Sequence, residues 1–255
     1  MNKTCVLYCS CGAGIFPEKE SGQLTKALNN LQLDIFELHD LCALSINEKE
    51  FLRSIGKEYD QKIIIACFPR AIKNILKQGD IDFGKYEVIN FREESVEKII
   101  NKLDNQFNLP AGNANYQIRE SQLKVPAWFP VIDHSLCTLC GQCYRFCLFG
   151  VYKFNKKSLS VVNPLACKDN CPACGRTCPA SAIIFPRLPE KSVLSGAEPS
   201  NEKTQKPEGN SSLFVLLNER NNTRRNIFRQ GFIKQAEAER NKALEDLKKE
   251  LNKRK

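Results

Sequence analysis

The stretch Cys137-Thr138-Leu139-Cys140-Gly141-Gln142-Cys143-Tyr144-Arg145-Phe146-Cys147 holds four cysteines in a C-x₂-C-x₂-C-x₃-C run. Downstream, Cys167-Lys168-Asp169-Asn170-Cys171-Pro172-Ala173-Cys174-Gly175-Arg176-Thr177-Cys178-Pro179 repeats it as C-x₃-C-x₂-C-x₃-C-P. Four thiolates at the corners of a tetrahedron are what a four-iron cluster needs. Three closely spaced cysteines on a tight loop cap one face, and the fourth comes from elsewhere because the short helix leading to it points away. Residues 129–133 with 151–154 read as a strand pair around the first run. Residues 159–162 with 182–185 repeat that arrangement around the second, an internal duplication. Zinc is the competing metal, since C-x₂-C pairs also bind it. Zinc sites take two separated pairs, not two consecutive runs of four ending in C-P, and the pattern therefore favours iron and sulfide.

These two runs resemble the bacterial-type two-cluster ferredoxins, in which the fourth cysteine of each run ligates the other cluster. The resemblance implies a small α+β domain over 125–187. It also implies one [4Fe–4S] cluster on Cys137, Cys140, Cys143 and Cys178 and a second on Cys167, Cys171, Cys174 and Cys147. Two departures stand out: Leu148 occupies the place where proline often follows the fourth cysteine, and the gap from Cys167 to Cys171 is one residue longer than usual. Neither removes a ligand; both bear on loop shape and potential.

Upstream, residues 1–110 alternate between short runs rich in Ile, Val, Leu and aromatics (4–9, 33–38, 62–67 and 86–91) and helix-like segments (24–31, 48–59, 70–77 and 95–107). Alternation of this kind predicts βαβ units, an α/β domain with a parallel sheet flanked by helices. Pro110-Ala111-Gly112-Asn113 breaks the pattern and opens a connector to about residue 125. Beyond the cysteine runs, residues 188–212 are rich in Pro, Ser, Glu, Lys and Asn and read as a flexible linker. Residues 213–255 read as a basic helical tail, partly disordered, with Leu244, Leu247 and Leu251 in one narrow stripe.

The N-terminal region holds a second set of cysteines. Cys9 closes the first strand, Cys11 follows it, Cys42 lies past the second strand, and Cys67 ends the third in Ala66-Cys67-Phe68-Pro69-Arg70. Ligands in an open parallel sheet gather outside the carboxyl ends of the strands, and this edge therefore receives four thiols, a candidate third [4Fe–4S] site. The bland alternative is that cysteine is simply a small residue that buries well, which is how Cys5 reads. A redox pair of Cys9 and Cys11 would need a strained disulfide across one residue. Cys9-Ser10-Cys11-Gly12 and Ala66-Cys67-Phe68-Pro69-Arg70 resemble the N-terminal cluster domain of the heterodisulfide reductase A-subunit family. That resemblance implies a cluster on these cysteines, linked to flavin-dependent electron transfer. No G-x-G-x-x-G follows a strand, and the flavin domain of that family is therefore absent.

Composition narrows the function. The N-terminus carries no signal-peptide pattern, and no apolar run reaches the ~18 residues of a membrane span. Thirteen cysteines in 255 residues therefore imply metal or redox chemistry in a reducing, cytoplasmic compartment. The net charge is +9, of which +6 falls in the last 38 residues, where twelve Lys and Arg meet six Asp and Glu. A mixed-sign tail reads as a solvated helix and argues against nucleic acid as partner. No nucleophile elbow, P-loop or metalloprotease motif is present. The chain is expected to relay single electrons between redox partners of an anaerobe, as subunit or donor of a flavin- or Fe–S-containing oxidoreductase, with no substrate-activating site of its own. The rival expectation is a redox-sensing or interaction protein whose clusters order a scaffold.

Overall fold

The structure, a computed structural model, describes residues 3–107, 109, 112–199 and 230–253. Its N-terminal part follows the order β1 (Thr4–Cys9), α1 (Glu18–Leu28), β2 (Asp34–His39), α2 (Leu41–Asn47), α3 (Lys49–Glu58), β3 (Gln61–Ala66), α4 (Pro69–Gln78), β4 (Lys85–Asn90), α5 (Val96–Asn105) and β5 (Asn115–Glu120). The strands form one five-stranded sheet in the order β4-β3-β1-β2-β5, parallel throughout. The central strands carry unbroken apolar runs, Val6-Leu7-Tyr8 and Ile63-Ile64-Ile65, buried on both faces, as expected where helices cover each side of a parallel sheet. This is the α/β layer expected from the alternation, with one strand more.

The extra strand is β5, which falls in the stretch read as a connector. Its sequence, Asn115-Tyr-Gln-Ile-Arg-Glu120, is almost wholly exposed, and charge on an outer strand is how sheets protect an edge. Polar contacts to its neighbour hold it: Asn115 donates to Asp34 (2.7 Å), Tyr116 donates to Glu37, and Arg119 donates to Glu48 (2.5 Å).

The cysteine-rich part contains β6 (Val131–Ile132), α6 (Gln142–Phe146), β7 (Tyr152–Phe154), β8 (Leu159–Val161), α7 (Ala173–Arg176) and β9 (Ile183–Ile184). The strand pairing differs from the expected one: β7 pairs with β8, and β6 pairs with β9, both antiparallel. The turn decides this. Asn155 Oδ1 accepts from the backbone N–H of Lys157 (3.1 Å) and Ser158 (2.7 Å), and Lys156 adopts φ +67°, so residues 155–158 close a tight hairpin. With the inner strands paired to each other, the first and last are left to pair across the region.

One hydrophobic core runs through both parts, since Ala127, Phe129, Val131 and Ile184 pack with the residues of the sheet and its helices. The junction is tied by α4. Arg70, 4% exposed, donates from Nε to Asp133 (2.7 Å), from Nη2 to the Ser181 carbonyl (2.7 Å), and from Nη1 to the carbonyls of Val193 (3.0 Å) and Ala197 (3.3 Å). Gln78 donates to the Pro130 carbonyl and accepts from Ile132 N–H.

Residues 188–199, expected as the start of a flexible linker, are packed against this junction. Leu188 and Ser195 are buried, and Ser192–Ser195 forms a capped 3₁₀ turn. Gly196, at φ +117°, lies where a Cβ would come within 2.7 Å of Ala71, so only glycine lets the segment seat against α4. The rest of that stretch, 200–212, lies outside the described residues, as do 213–229 of the tail. The tail forms α8 (Gln230–Lys253), which packs on α7. It does so through Ala236 and Ala243 rather than the leucine stripe, for Leu247 is exposed. Among the described residues, no helix is long and apolar enough to cross a membrane.

Replacing Arg70 by alanine removes one partner of a buried ion pair and strands Asp133. The expected loss is about 3–5 kcal/mol of unfolding free energy, read as a lower denaturation midpoint with secondary structure unchanged.

Candidate functional site

The two cysteine runs meet because of the strand pairing. Asp133 N–H donates to the Ala182 carbonyl (2.8 Å), continuing the β6–β9 ribbon, and Cys137 N–H donates back to Asp133 (3.1 Å). Ala182 N–H in turn donates to Cys178 Sγ (3.3 Å). Cys137 at the start of the first run and Cys178 at the end of the second are thereby neighbours. With Cys140 and Cys143 they line one cavity. Gly141 shapes the loop: it sits at φ +71°, and a Cβ there would meet the Phe154 ring at 2.5 Å. Burial pushes the Cys143 thiol up to about 12, and the nearby thiols of Cys178, Cys137 and Cys140 add to it.

The inner hairpin does the same for the other four. Val151 accepts from the N–H groups of Val162 (2.9 Å) and Asn163 (3.2 Å), which draws the exit of the first run towards the entry of the second. Burial pushes Cys167 upward, followed by the charges of Cys171 and Cys147. Cys174 is likewise pushed well up by burial and then by Cys167, with the Tyr152 hydroxyl 3.1 Å from its Sγ. Cys171 is raised by burial, and both Glu239 and Cys147 act on it. Glu239 belongs to α8, so the tail helix lies over this side. Arg176 holds Glu190 through both carboxylate oxygens (2.8 and 2.9 Å) and reaches Glu239 (3.3 Å), while Arg240 stacks on Phe146 (5.1 Å).

The N-terminal cysteines occupy the carboxyl edge of three adjacent strands, β3-β1-β2. Cys9 is the last residue of β1, Cys11 follows at φ +51°, and Cys67 comes directly after β3. Cys42 sits in the first turn of α2, whose N-terminus Asp40 caps by accepting from Ala43 N–H (3.2 Å). The edge between β1 and β3 is where the strand order reverses direction, the crevice in which open α/β sheets bind ligands. Cys9, Cys42 and Cys67 are buried and Cys11 partly so. Burial is the main cause that pushes Cys9 and Cys42 well up, and in each case the other thiols of the set contribute. Cys67 rises to about 12 through burial and then Cys11, with Arg92 opposing. Cys5, in the same strand as Cys9, is fully buried in the core.

Arginines cover this edge. Arg187 donates to Asp40 and to the Gly12 carbonyl (2.8 Å). Arg92, just past β4, spans to the carbonyls of Leu188 (3.0 Å), Pro189 (2.6 Å) and Glu190 (3.0 Å). Arg70, three residues after Cys67, neither faces solvent nor reaches the thiols but turns into the junction. The residue near the thiols is Arg92, and the signal for it was its place after the strand that neighbours β3. Of the two histidines, His39 lies beside Glu37 (3.0 Å) and His134 is exposed.

All thirteen cysteines are free thiols. Among the described residues, no group of three or more His, Cys, Asp or Glu side chains is arranged to hold a metal ion. No protein-family model, curated protein or solved structure matches the chain.

The contacts around Arg176 predict that Arg176→Ala frees α8. Losing its charge-assisted bonds should cost about 1.5–3 kcal/mol. Limited proteolysis within 230–253 should then accelerate roughly tenfold or more while residues 3–107 stay intact.

Proposed function

We propose that this chain is an iron–sulfur electron-transfer protein of the two-cluster ferredoxin kind, carrying a third [4Fe–4S] cluster at the carboxyl edge of its N-terminal sheet. What supports the reading is that Cys178 lines one cavity with Cys137, Cys140 and Cys143, and that the inner hairpin draws the end of the first run, Cys147, towards the second run of Cys167, Cys171 and Cys174.

The donor chemistry fits. Groups of buried thiols that raise one another's pKa are costly as thiolates unless a metal neutralises them. The sets concern an assembled cluster rather than a lone ion, because a cubane is larger than an ion and takes its thiolates on a wider tetrahedron. Polar groups are directed at sulfur in the described structure: Ala182 N–H on Cys178, and the Tyr152 hydroxyl beside Cys174. Hydrogen bonds of this kind tune cluster potentials. When bound, each cluster takes up and returns one electron. The chain holds the sulfurs, buries Cys9, Cys42, Cys67 and Cys174, and leaves Cys140 exposed as the edge nearest an incoming partner.

On this reading the protein works in the cytoplasm of an anaerobe beside a flavin- or Fe–S-containing oxidoreductase, related in its N-terminal part to the heterodisulfide reductase A-subunit family. A second reading, a redox-sensing scaffold, draws on the docking of the basic helix α8 over Cys171.

Protein purified anaerobically should contain about twelve irons and about twelve acid-labile sulfides per chain, as three four-iron clusters require. EPR-monitored reduction should then show three reversible signals. About eight irons would confine clusters to the two runs, and none would refute the proposal. Cys67→Ser should lose about four irons and leave the signals of the other two clusters in place; retention of all iron would refute the N-terminal site. Irreversible or absent electron uptake with full iron content would favour the scaffold.

A further inference from the structure

Three arginines cross the junction, and two of them spend every hydrogen bond they direct there on protein oxygen. Arg70 employs Nε, Nη1 and Nη2, and Arg187 ties Asp40 and Gly12. Arg92 differs. Its Nη1 and Nη2 are committed to the carbonyls of residues 188–190, yet its Nε–H is buried without a partner among the described residues. The whole residue is 5% exposed. An unmet donor on a buried cation is costly, and the rest of the side chain is too firmly held to turn away from it.

The surroundings place Arg92 beside the strand end that carries Cys67. Arg92 lies on the Phe68 ring, with 4.9 Å from the guanidinium carbon to the ring centre, and Phe68 directly follows Cys67. The backbone is pinned beside the same strand end: Phe91 N–H donates to Ala66 (3.0 Å), and Asn90 Oδ1 accepts from Arg92 N–H (3.0 Å). Charge on Cys67 and on Cys11 bears on the guanidinium, and Arg92 in turn bears on Cys67. Glu190 and Glu93 also act on the guanidinium, after Cys67 and Cys11, but their carboxylates are engaged by other donors: Glu190 by Arg176, and Glu93 by Asn90.

We infer that Arg92 is the hydrogen-bond donor and counter-charge of the group held by Cys9, Cys11, Cys42 and Cys67, its Nε–H directed at sulfur. This rests on the cluster reading of that site and adds the residue that sets its potential. A cation donating to sulfur stabilises the reduced, more negative state and so raises the midpoint. The same guanidinium clasps residues 188–190, which makes the segment that leads away from the second cysteine run part of the cover over this site.

The test is reductive titration of the intact, cluster-loaded protein with dithionite under EPR, following each signal separately. Arg92→Gln should change the oxidised-to-reduced ratio of the N-terminal cluster about tenfold at fixed potential, a midpoint lower by about 59 mV for a one-electron couple. The other two midpoints should not move. Arg92→Lys keeps the charge, loses the Nε–H and should give a smaller shift in the same direction. Gln78→Ala, which loosens the junction away from the thiols, should leave all three midpoints in place. An unmoved third midpoint in both Arg92 variants, or an equal shift in Gln78→Ala, overturns the role of Arg92 while leaving the cluster standing. Only two signals in the unmodified protein would overturn the N-terminal cluster itself, and this inference with it.

Discussion

A single buried guanidinium holds together the place where the two cysteine runs meet. Asp133 follows β6 and Ser181 precedes β9, and Arg70 donates to both, so one fork spans the two ends of a ribbon that is only two residues long on each strand. Four backbone residues cannot hold an antiparallel pair by themselves. What holds it is the core beneath, where Val131 and Ile184 are fully buried against the sheet and its helices, and the charge above. Burial alone would disfavour the Asp133 carboxylate, but donation from Ser135 and Arg70 outweighs it and keeps the carboxyl below its ordinary value of 3.8. A buried ion pair is tolerated when its remaining donors are satisfied, and the carbonyls of Ser181, Val193 and Ala197 satisfy them.

The cysteine sets inherit their composition from this ribbon. Once β6 pairs with β9 and β7 with β8, the end of the second run must lie beside the start of the first, and the end of the first beside the start of the second. Mixed sets follow from antiparallel pairing and need no special property of the cysteines. Neither run can complete such a set without the other, so any group the thiols held would tie folding to its binding. The N-terminal domain takes part through Arg70 and through a core that Ala127, Phe129, Val131 and Ile184 join, while Trp128, Ile132 and Ile183 belong to a second cluster among the cysteine runs.

Much of the fold was legible because apolar runs of the right length alternate with amphipathic ones. Ile63-Ile64-Ile65 and Val6-Leu7-Tyr8 can only be strands buried on both faces. What escaped reading had polar composition. Asn115–Glu120 carries charge because it is an outer strand, and its pairing depends on Asp34, Glu37 and Glu48, far away in sequence. Residues 188–199 look like a linker because arginines hold their backbone carbonyls, and a carbonyl leaves no trace in residue identity. The face of the tail helix that meets α7 has no apolar stripe to announce it, because a tight fit there calls for small residues, and Ala236 and Ala243 provide them. The strand pairing of the cysteine region is set by one side chain, Asn155, which closes the hairpin and leaves no periodic signal in the sequence.

The candidate sites differ in how far spacing alone reaches. In the two runs, spacing puts three cysteines on one loop, and only the topology decides which fourth joins them. At the N-terminal edge spacing says almost nothing, since Cys11, Cys42 and Cys67 come from separate loops, and the sheet order carries the argument. The chain leaves β1 towards β2 on one side, while β3 lies on the other. The loops after β1 and β3 therefore part and open a crevice at their ends. Such a crevice is ordinarily open to water. Here the segment from Arg187 to Ala197 is tied beside it by Arg92, Arg187 and Arg70, and three of the four thiols are buried. Thiolates in that setting need counter-charge nearby, because screening by water is gone. Arginine combines a permanent charge with a planar fork of donors that can bind several backbone carbonyls of a covering segment at the same time. The segment beside the crevice is thus fastened to both parts of the fold by arginine side chains.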